Sequence, residues 1–188
     1  MTHPRASPLA HVAVPGRYGA GTGEPGVTLS VRHPVDIVTV IARKYRATAV
    51  LAALHGFDAR WAGPDQYFVV GASYDELKPK LAGIASLSDQ SHGRVIIRIE
   101  GPKSREVLAK GTPVDLHTDE FTLGKSALTQ MAHVGVHVTR VGRDAFEVSV
   151  FRGFAESFWE WLTSQSAPCG YQIRLPEQRL GGLDEQAS

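Results

Sequence analysis

Short runs of alternating apolar and polar residues recur along the chain and predict β-strands. In the clearest run, Val95, Ile97 and Ile99 share one face, as in a strand that is covered on one side. Alternation and enrichment in valine and isoleucine predict strands over 27–31, 36–41, 67–70, 86–88, 94–100, 126–131, 134–141 and 145–151. Gly142-Arg143-Asp144 is a turn signal that joins the last two strands as an antiparallel pair.

Helical spacing of apolar residues predicts four helices among these strands. They extend over 42–55, 74–81, a short segment after Gly101-Pro102, and 153–164. Gly56 is expected to stop the first helix, and Gly111 is expected to end the third in the left-handed conformation. The last helix carries an apolar stripe that is expected to face the core, formed by Phe154, Phe158, Trp161 and Leu162.

These elements follow one another in two similar passes, each strand–helix–strand–strand–helix. The order predicts an α+β fold of two ferredoxin-like βαββα halves, over about 27–90 and 91–170. Residues 1–26 are rich in proline and glycine, and we expect an extended N-terminal arm that stays loose or lies across another subunit. Residues 171–188 are expected to form a flexible C-terminal tail.

The composition mainly excludes certain classes of partner and site. The net charge of +1 gives no basic face for nucleic acid, and no apolar run approaches the ~20 residues that span a bilayer. The first residues lack the apolar core of a signal peptide. A single cysteine, Cys169, excludes an internal disulfide and a cysteine-based zinc site. We therefore expect a cytoplasmic protein with neither nucleic acid nor membrane as a partner.

Two patterns associated with ligand binding lack the setting that such binding needs. Gly21-Thr22-Gly23-Glu24-Pro25-Gly26 matches the dinucleotide fingerprint, but no strand precedes it and Pro25 removes an amide, which favours a plain loop. His133 and His137 would aim at one metal on a helix, whereas on a strand they lie ~13 Å apart. Each is therefore interpreted as a surface histidine or one with satisfied hydrogen bonds.

The candidate nucleophiles also lack the neighbours that catalysis needs, so we interpret them as structural residues. Asp89, Ser91 and His92 are the residue types of a catalytic triad, but such triads are assembled from distant positions. A turn closed by short side-chain hydrogen bonds is the favoured interpretation. Cys169 follows a proline in a predicted loop and has no evident activating neighbour.

Several motifs in the chain resemble those of one protein family. In order, they are Ser7-Pro8-Leu9, Trp61-Ala62-Gly63-Pro64-Asp65, Asp89-Gln90-Ser91, Arg94, Gly101-Pro102, Arg105, Val107-Leu108-Ala109-Lys110-Gly111, Asp115-Leu116-His117 and Trp159-Glu160-Trp161-Leu162. Over roughly residues 7–165 they resemble the gamma subunit of heterotetrameric sarcosine oxidase. More distantly, the strand–Gly-Pro–helix unit is similar to part of the glycine-cleavage T-protein (aminomethyltransferase) fold.

The resemblance implies a structural gamma subunit with alpha, beta and delta subunits as partners, alpha being the main contact. The implied assembly oxidatively demethylates sarcosine to glycine, produces hydrogen peroxide and passes the one-carbon unit to tetrahydrofolate. FAD, FMN, NAD and the folate site would lie in the large subunits and zinc in delta. This chain is then expected to have no catalytic, cofactor-binding or metal-binding residues.

Five residues are candidates for the subunit interface. Pro8 and Leu9 lie in the predicted arm, and Trp159 lies at the edge of the helical stripe. Arg94 and Arg98 share one face of their strand, which is either solvated or binds carboxylates of a partner.

Two alternatives remain open. The chain could be the gamma subunit of a related demethylase that acts on dimethylglycine, N-methylproline or another N-methyl amine. It could instead be a free-standing folate-binding protein of the aminomethyltransferase type, with Asp65, Asp89 or Asp115 as the acidic residue of the pocket. Against the latter, the chain is about half as long as a full T-protein, and fold similarity alone does not confer a site.

Overall fold

The computed structural model describes residues 6–20 and 23–175. Its strands are β1 (Gly16–Tyr18), β2 (Val27–Arg32), β3 (Ile37–Ala42), β4 (Asp58–Gly63), β5 (Gln66–Val70), β6 (Ala85–Asp89), β7 (Arg94–Glu100), β8 (Ser126–Met131), β9 (Val134–Gly142), β10 (Ala145–Phe151) and β11 (Tyr171–Ile173). Its helices are α1 (Ala47–Ala53), α2 (Tyr74–Leu81), α3 (Ser104–Ala109) and α4 (Ala155–Ser166). Within this described part of the chain, no helix is long and apolar enough to span a membrane.

The strands form two sheets. The large sheet has the order β1-β11-β2-β7-β10-β9-β8, and the small sheet has the order β4-β5-β3-β6. Neighbouring strands are antiparallel except β11 and β2, which are parallel. The α+β class predicted from the sequence is confirmed, and the ferredoxin-like description of each half stays a prediction.

The position of β2 makes the two halves unequal. The sequence analysis assigned this strand to the first half, but it lies in the large sheet beside β7. Leu29 pairs with Ile99 and Val31 with Ile97, so the apolar residues of both strands share one face. The small sheet is therefore built from residues 37–89 alone, and β2 extends the sheet of the second half.

Each sheet buries one face beneath helices. In the large sheet, apolar residues of the central strands pack with α3 and α4, among them Leu29, Ile97, Val148, Leu108 and Phe158. In the small sheet, β3 and β5 pack with α1 and α2 through Val38, Val69, Val50 and Leu77. Burying a large apolar side chain contributes about 1.5–3 kcal/mol, so these two layers account for much of the stability of the fold.

The predicted elements are found at or near their expected positions. Strands β7, β8 and β10 and helix α2 have the predicted bounds. Helix α1 begins only at Ala47, because Tyr45 has a φ of 63° and cannot continue a right-handed helix. The sequence does not predict β4, which contains no β-branched residue.

Two predicted details are wrong. Gly111 is not left-handed, and its lack of a side chain serves close packing instead, since a Cβ there would overlap the Trp161 ring. Phe154 does not face the core but is 55% exposed, because it lies in the turn before α4 begins at Ala155.

Parts of the predicted arm and tail belong to the folded structure. Leu9 is fully buried in the core of the large sheet, and β1 pairs with β11. The strand β11 places residues 171–173, which the sequence assigned to the flexible tail, inside the large sheet. Residues 1–5, 21–22 and 176–188 lie outside the described part, so the start of the Gly21–Gly26 motif and the rest of the predicted tail lie there too.

Candidate functional site

The faces of the two sheets that carry no helices meet at an inter-sheet junction. Period-two alternation puts Val95, Ile97 and Ile99 on the helix side of β7, so Ile96 and the arginines of that strand point to the other side. Ile96 packs there against Ile37 and Val70 of the small sheet. The junction therefore combines a small apolar contact with a row of charged side chains.

Glu147 on β10 is the centre of the charged row. Its carboxylate is only 2% exposed and accepts hydrogen bonds from Arg32 Nη1 at 2.9 and 2.8 Å. Arg60 Nη2, from β4 of the small sheet, donates to Glu147 Oε2 at 2.6 Å. Arg98 Nη1 lies 3.8 Å from Oε1, and Arg98 Nε donates to Glu100 at 2.9 Å. A carboxylate of the large sheet is thus bonded directly to an arginine of the small sheet.

Arg60 is buried by this arrangement and binds a second carboxylate. Its Nε and Nη2 donate to the two carboxylate oxygens of Asp58 at 2.9 and 2.7 Å, a bidentate geometry. Burial opposes the charge, but the hydrogen bond to Asp58 and the charge of Glu147 outweigh it and hold the pKa of the Arg60 guanidinium above its usual range. The Arg60 guanidinium therefore stays protonated at neutral pH, and its bond to Glu147 links the small sheet to the large one.

His137 provides a second link across the junction. The residue is buried on β9, and its Nε2 donates to the Trp61 carbonyl oxygen of β4 at 2.8 Å. Burial lowers the pKa of His137 to about 4, although the hydrogen bond to this carbonyl acts in the opposite direction. The ring is therefore neutral at pH 7, which agrees with its interpretation as a satisfied histidine.

The other predicted histidine, His133, lies elsewhere. It is exposed in the tight turn between β8 and β9, with a φ of 66°. Over residues 6–20 and 23–175, no three His, Cys, Asp or Glu side chains come together as metal ligands would.

Ser91 and Asp89 form the predicted turn rather than part of a triad. The Ser91 hydroxyl donates to Asp89 Oδ1 at 2.5 Å, and the Ser91 amide donates to the same oxygen at 2.9 Å. The Ile37 amide in turn donates to Ser91 Oγ at 3.0 Å, which ties the turn to the start of β3. The predicted turn is confirmed, and the Ser91 hydroxyl oxygen accepts the hydrogen bond of the first backbone amide of β3.

Arg94 and Arg98 do not form the shared exposed face that the sequence suggested. Arg98 is engaged by Glu100 and Glu147 inside the junction. Arg94 stacks its guanidinium over Phe151 at 4.0 Å and over Phe68 at 4.7 Å from the ring centroids. Burial lowers the pKa of Arg94, and its Nε is buried without a hydrogen-bond acceptor in the described part of the chain.

Two of the predicted interface residues lie inside this chain, and their place at a subunit interface stays a prediction. Leu9 is 0% and Trp159 is 3% exposed, and both pack into the core of the large sheet. Pro8 is half-buried beside Leu9. Trp159 is more buried than its place at the edge of the stripe suggests, because the N-terminal turn packs against α4. The spacing of apolar residues within α4 contains no information about that turn.

Sequence reasoning also missed the main feature of the junction. Glu147 and Arg60 lie on different sheets and 87 positions apart, so no local motif connects them. The available signal was the charged Glu147 among the mostly apolar residues of β10, since a charge in a buried strand requires a partner.

The chain is similar in sequence to one family of known proteins. The model of the sarcosine oxidase, gamma subunit family matches residues 47–168. Sarcosine oxidase subunit gamma of Corynebacterium sp. (strain U-96) is 26% identical over 183 residues, covering 86% of this chain and 89% of that protein. The corresponding protein of Corynebacterium sp. (strain P-1) is 29% identical over 157 residues, covering 80% and 70%.

Solved structures are similar in fold. A chain of the heterotetrameric sarcosine oxidase from Corynebacterium sp. U-96, in complex with pyrrole 2-carboxylate, aligns with a TM-score of 0.73 at 24% identity. The alignment covers 86% of this chain and 94% of that chain. The glycine cleavage system aminomethyltransferase T from Bartonella henselae aligns with a TM-score of 0.57 at 18% identity, covering 77% of this chain and 47% of that one.

Proposed function

We propose that this chain, which belongs to the sarcosine oxidase gamma subunit family, is a structural subunit of a heterotetrameric sarcosine oxidase and carries no catalytic residues itself. The match of the family model over residues 47–168 carries the proposal. The similarity in fold to a chain of a heterotetrameric sarcosine oxidase, over 86% of this chain, supports it.

The interactions of the buried polar groups also support a structural role. Glu147 and Arg60 bond to each other across the junction, and His137 bonds to the backbone of the opposite sheet. Ser91 bonds to the end of β3. A general acid, base or nucleophile has to present a group to its substrate, whereas these groups are engaged in joining elements of the fold.

The reaction of the proposed complex follows from the family. In it, sarcosine is oxidatively demethylated to glycine with oxygen, hydrogen peroxide is released, and the one-carbon unit passes to tetrahydrofolate. We place FAD, FMN, NAD, the folate site and zinc in the alpha, beta and delta subunits, with alpha as the main contact of this chain. A related complex with dimethylglycine or N-methylproline as substrate would use the same gamma subunit, because the substrate pocket would lie in another chain.

A folate-binding protein of the aminomethyltransferase type is the second candidate, favoured only by the similarity in fold to the T-protein. The chain covers 47% of that protein. Asp65 lies in the turn after β4, Asp89 ends β6 and is bonded to Ser91, and Asp115 accepts from the His117 amide at 2.8 Å. The local hydrogen bonds of Asp89 and Asp115 support structural roles for these two carboxylates rather than a place in a folate pocket.

The proposal is tested by purifying the tagged chain from its native host and analysing the eluate by mass spectrometry and absorption spectroscopy. We expect three further subunits, a flavin band near roughly 450 nm, and sarcosine-dependent formation of hydrogen peroxide. Parallel assays with dimethylglycine and N-methylproline identify the substrate. A solitary, colourless chain that binds tetrahydrofolate would contradict the proposal and favour the second candidate.

A further inference from the structure

Arg94 is an exception among the arginines of the inter-sheet junction. Arg32 and Arg60 donate to Glu147, and Arg98 donates to Glu100. Within residues 6–20 and 23–175, by contrast, the guanidinium of Arg94 has no hydrogen-bond acceptor and no carboxylate within 4 Å. A partly desolvated cation without an acceptor is unfavourable for the isolated chain, since buried polar groups are normally paired.

The surroundings of Arg94 place it next to the protein surface. Phe151, its cross-strand neighbour on β10, is 46% exposed, whereas Phe68, the other ring that the guanidinium contacts, is buried. Arg94 itself is half-buried, so a group from outside can reach part of its side chain. The contacts with two rings hold the guanidinium in position, which prepares it for a planar acceptor such as a carboxylate.

A second apolar side chain and a second cation lie in the same short segment. Phe154 is 55% exposed and follows Phe151 by three residues, a separation of at most ~11 Å. Arg152 between them donates to the Ala6 carbonyl oxygen, and no carboxylate of the described residues pairs with it. Glu156, on the first turn of α4, is instead hydrogen-bonded to His11.

We propose that Arg94, Phe151, Arg152 and Phe154 form a docking surface for another subunit of the oxidase, through a segment that carries a carboxylate next to apolar side chains. This inference rests on the proposed function, which supplies the partner subunits. No carboxylate of the described residues pairs with Arg94 or Arg152, so their positive charge selects an acidic partner, and the exposed phenylalanines provide apolar contact area. Arginine and aromatic residues are enriched where interfaces derive most of their binding energy.

The inference is tested by competition within the assembled complex. Wild-type and variant gamma chains with different tags are co-expressed with the other three subunits. The ratio of variant to wild-type chain in the purified complex, divided by the same ratio in the soluble lysate, measures incorporation. We expect Arg94→Gln to reduce incorporation about tenfold or more, because it leaves the partner's carboxylate unpaired. Arg94→Lys should recover only part of the loss, since lysine lacks the bidentate fork.

The matched control is Arg143→Gln. Arg143 is 94% exposed in the turn before β10, so its replacement removes an equal charge at the opposite end of that strand from Phe151. This variant should compete equally with the wild type. Incorporation of Arg94→Gln within twofold of the wild type, or equal losses for Arg94→Gln and Arg143→Gln, would overturn the docking surface.

A second measurement does not depend on replacing a half-buried residue. Phe154 is exposed, so a photo-crosslinking phenylalanine analogue at this position leaves the core intact. We expect a cross-link to a peptide of another subunit that contains Asp or Glu beside apolar residues. If the wild-type chain purifies with its partners, a cross-link to a basic peptide would overturn the inference. The absence of a cross-link to any subunit would overturn it as well. Failure of the wild-type chain itself to purify with them would instead refute the proposed function.

Discussion

Replacing Glu147 with glutamine tests whether the charged row holds the two sheets together. The carboxylate is 2% exposed and is bonded to Arg32 and Arg60. Glutamine preserves the size of the side chain but removes the negative charge and one acceptor oxygen. Arg60, which is 5% exposed, would then retain only Asp58 as a charged partner.

The magnitude follows from the burial of both groups. Removing one member of a buried ion pair costs about 3–5 kcal/mol, since the other charge stays buried without compensation. Asp58 still pairs with Arg60, so we expect the lower end, about 3 kcal/mol. For a chain of this size that loss lowers the melting temperature by roughly 6–12 °C. The reduction is large beside the total unfolding free energy of a typical domain, about 5–15 kcal/mol.

The assay is urea unfolding of the isolated chain at neutral pH, followed by tryptophan fluorescence and far-UV circular dichroism. Glu24→Gln is the control, because the Arg17–Glu24 pair is exposed on both sides, at 59% and 88%, and should contribute no more than about 1 kcal/mol. Replacing Glu147 by leucine and Arg60 by methionine together removes both charges. That double variant should cost less than the sum of its two single variants.

A loss below about 1 kcal/mol for Glu147→Gln would refute the reasoning, since it would mean that the buried pair contributes no more than an exposed one. Strict additivity of the double variant would refute it independently, because groups in direct contact are expected to couple.

Three further changes are expected to alter stability. The folded pKa of His137, about 4, lies below its unfolded value, so unfolding takes up a proton between these values. Stability should therefore fall by roughly 2–3 kcal/mol as the pH drops from 6.5 to 4, and urea titrations should show a flatter profile for His137→Gln. Gly111→Ala should cost about 1–3 kcal/mol in urea unfolding by overlapping a tryptophan ring, whereas Gly135→Ala, with open space around it, should be neutral or slightly stabilising. Ser91→Ala leaves a buried strand-end amide without its acceptor and should lower the unfolding free energy by about 1–3 kcal/mol; an unchanged midpoint would contradict the role given to its hydroxyl.

Elements governed by local pattern could be predicted from the sequence. The bounds of β7 follow from its alternation, and the Asp89–Ser91 turn follows from short side chains that bond to the adjacent backbone. Both depend on residues within a few positions of each other. The same holds for the hairpin of β9 and β10, where the turn signal precedes Ala145.

Features that depend on distant segments could not be predicted. The burial of Leu9 and Trp159 depends on the N-terminal turn covering α4, and the pairing of Glu147 with Arg60 depends on how two sheets meet. The face of β7 that carries Arg94 and Arg98 looks uniform in sequence. Only the structure distinguishes an arginine with carboxylates nearby from one that has none.

The parallel pairing of β11 with β2 has a consequence for biosynthesis. The large sheet is complete only when Tyr171 reaches Val27, so the ribosome must release nearly all of the described chain before β2 has both neighbours. The small sheet needs only residues 37–89 and can fold while synthesis continues. Closing such a long loop is slow, and until then β2 presents an open strand edge. A partner subunit that binds the growing chain would therefore encounter a finished small sheet beside an unfinished large one.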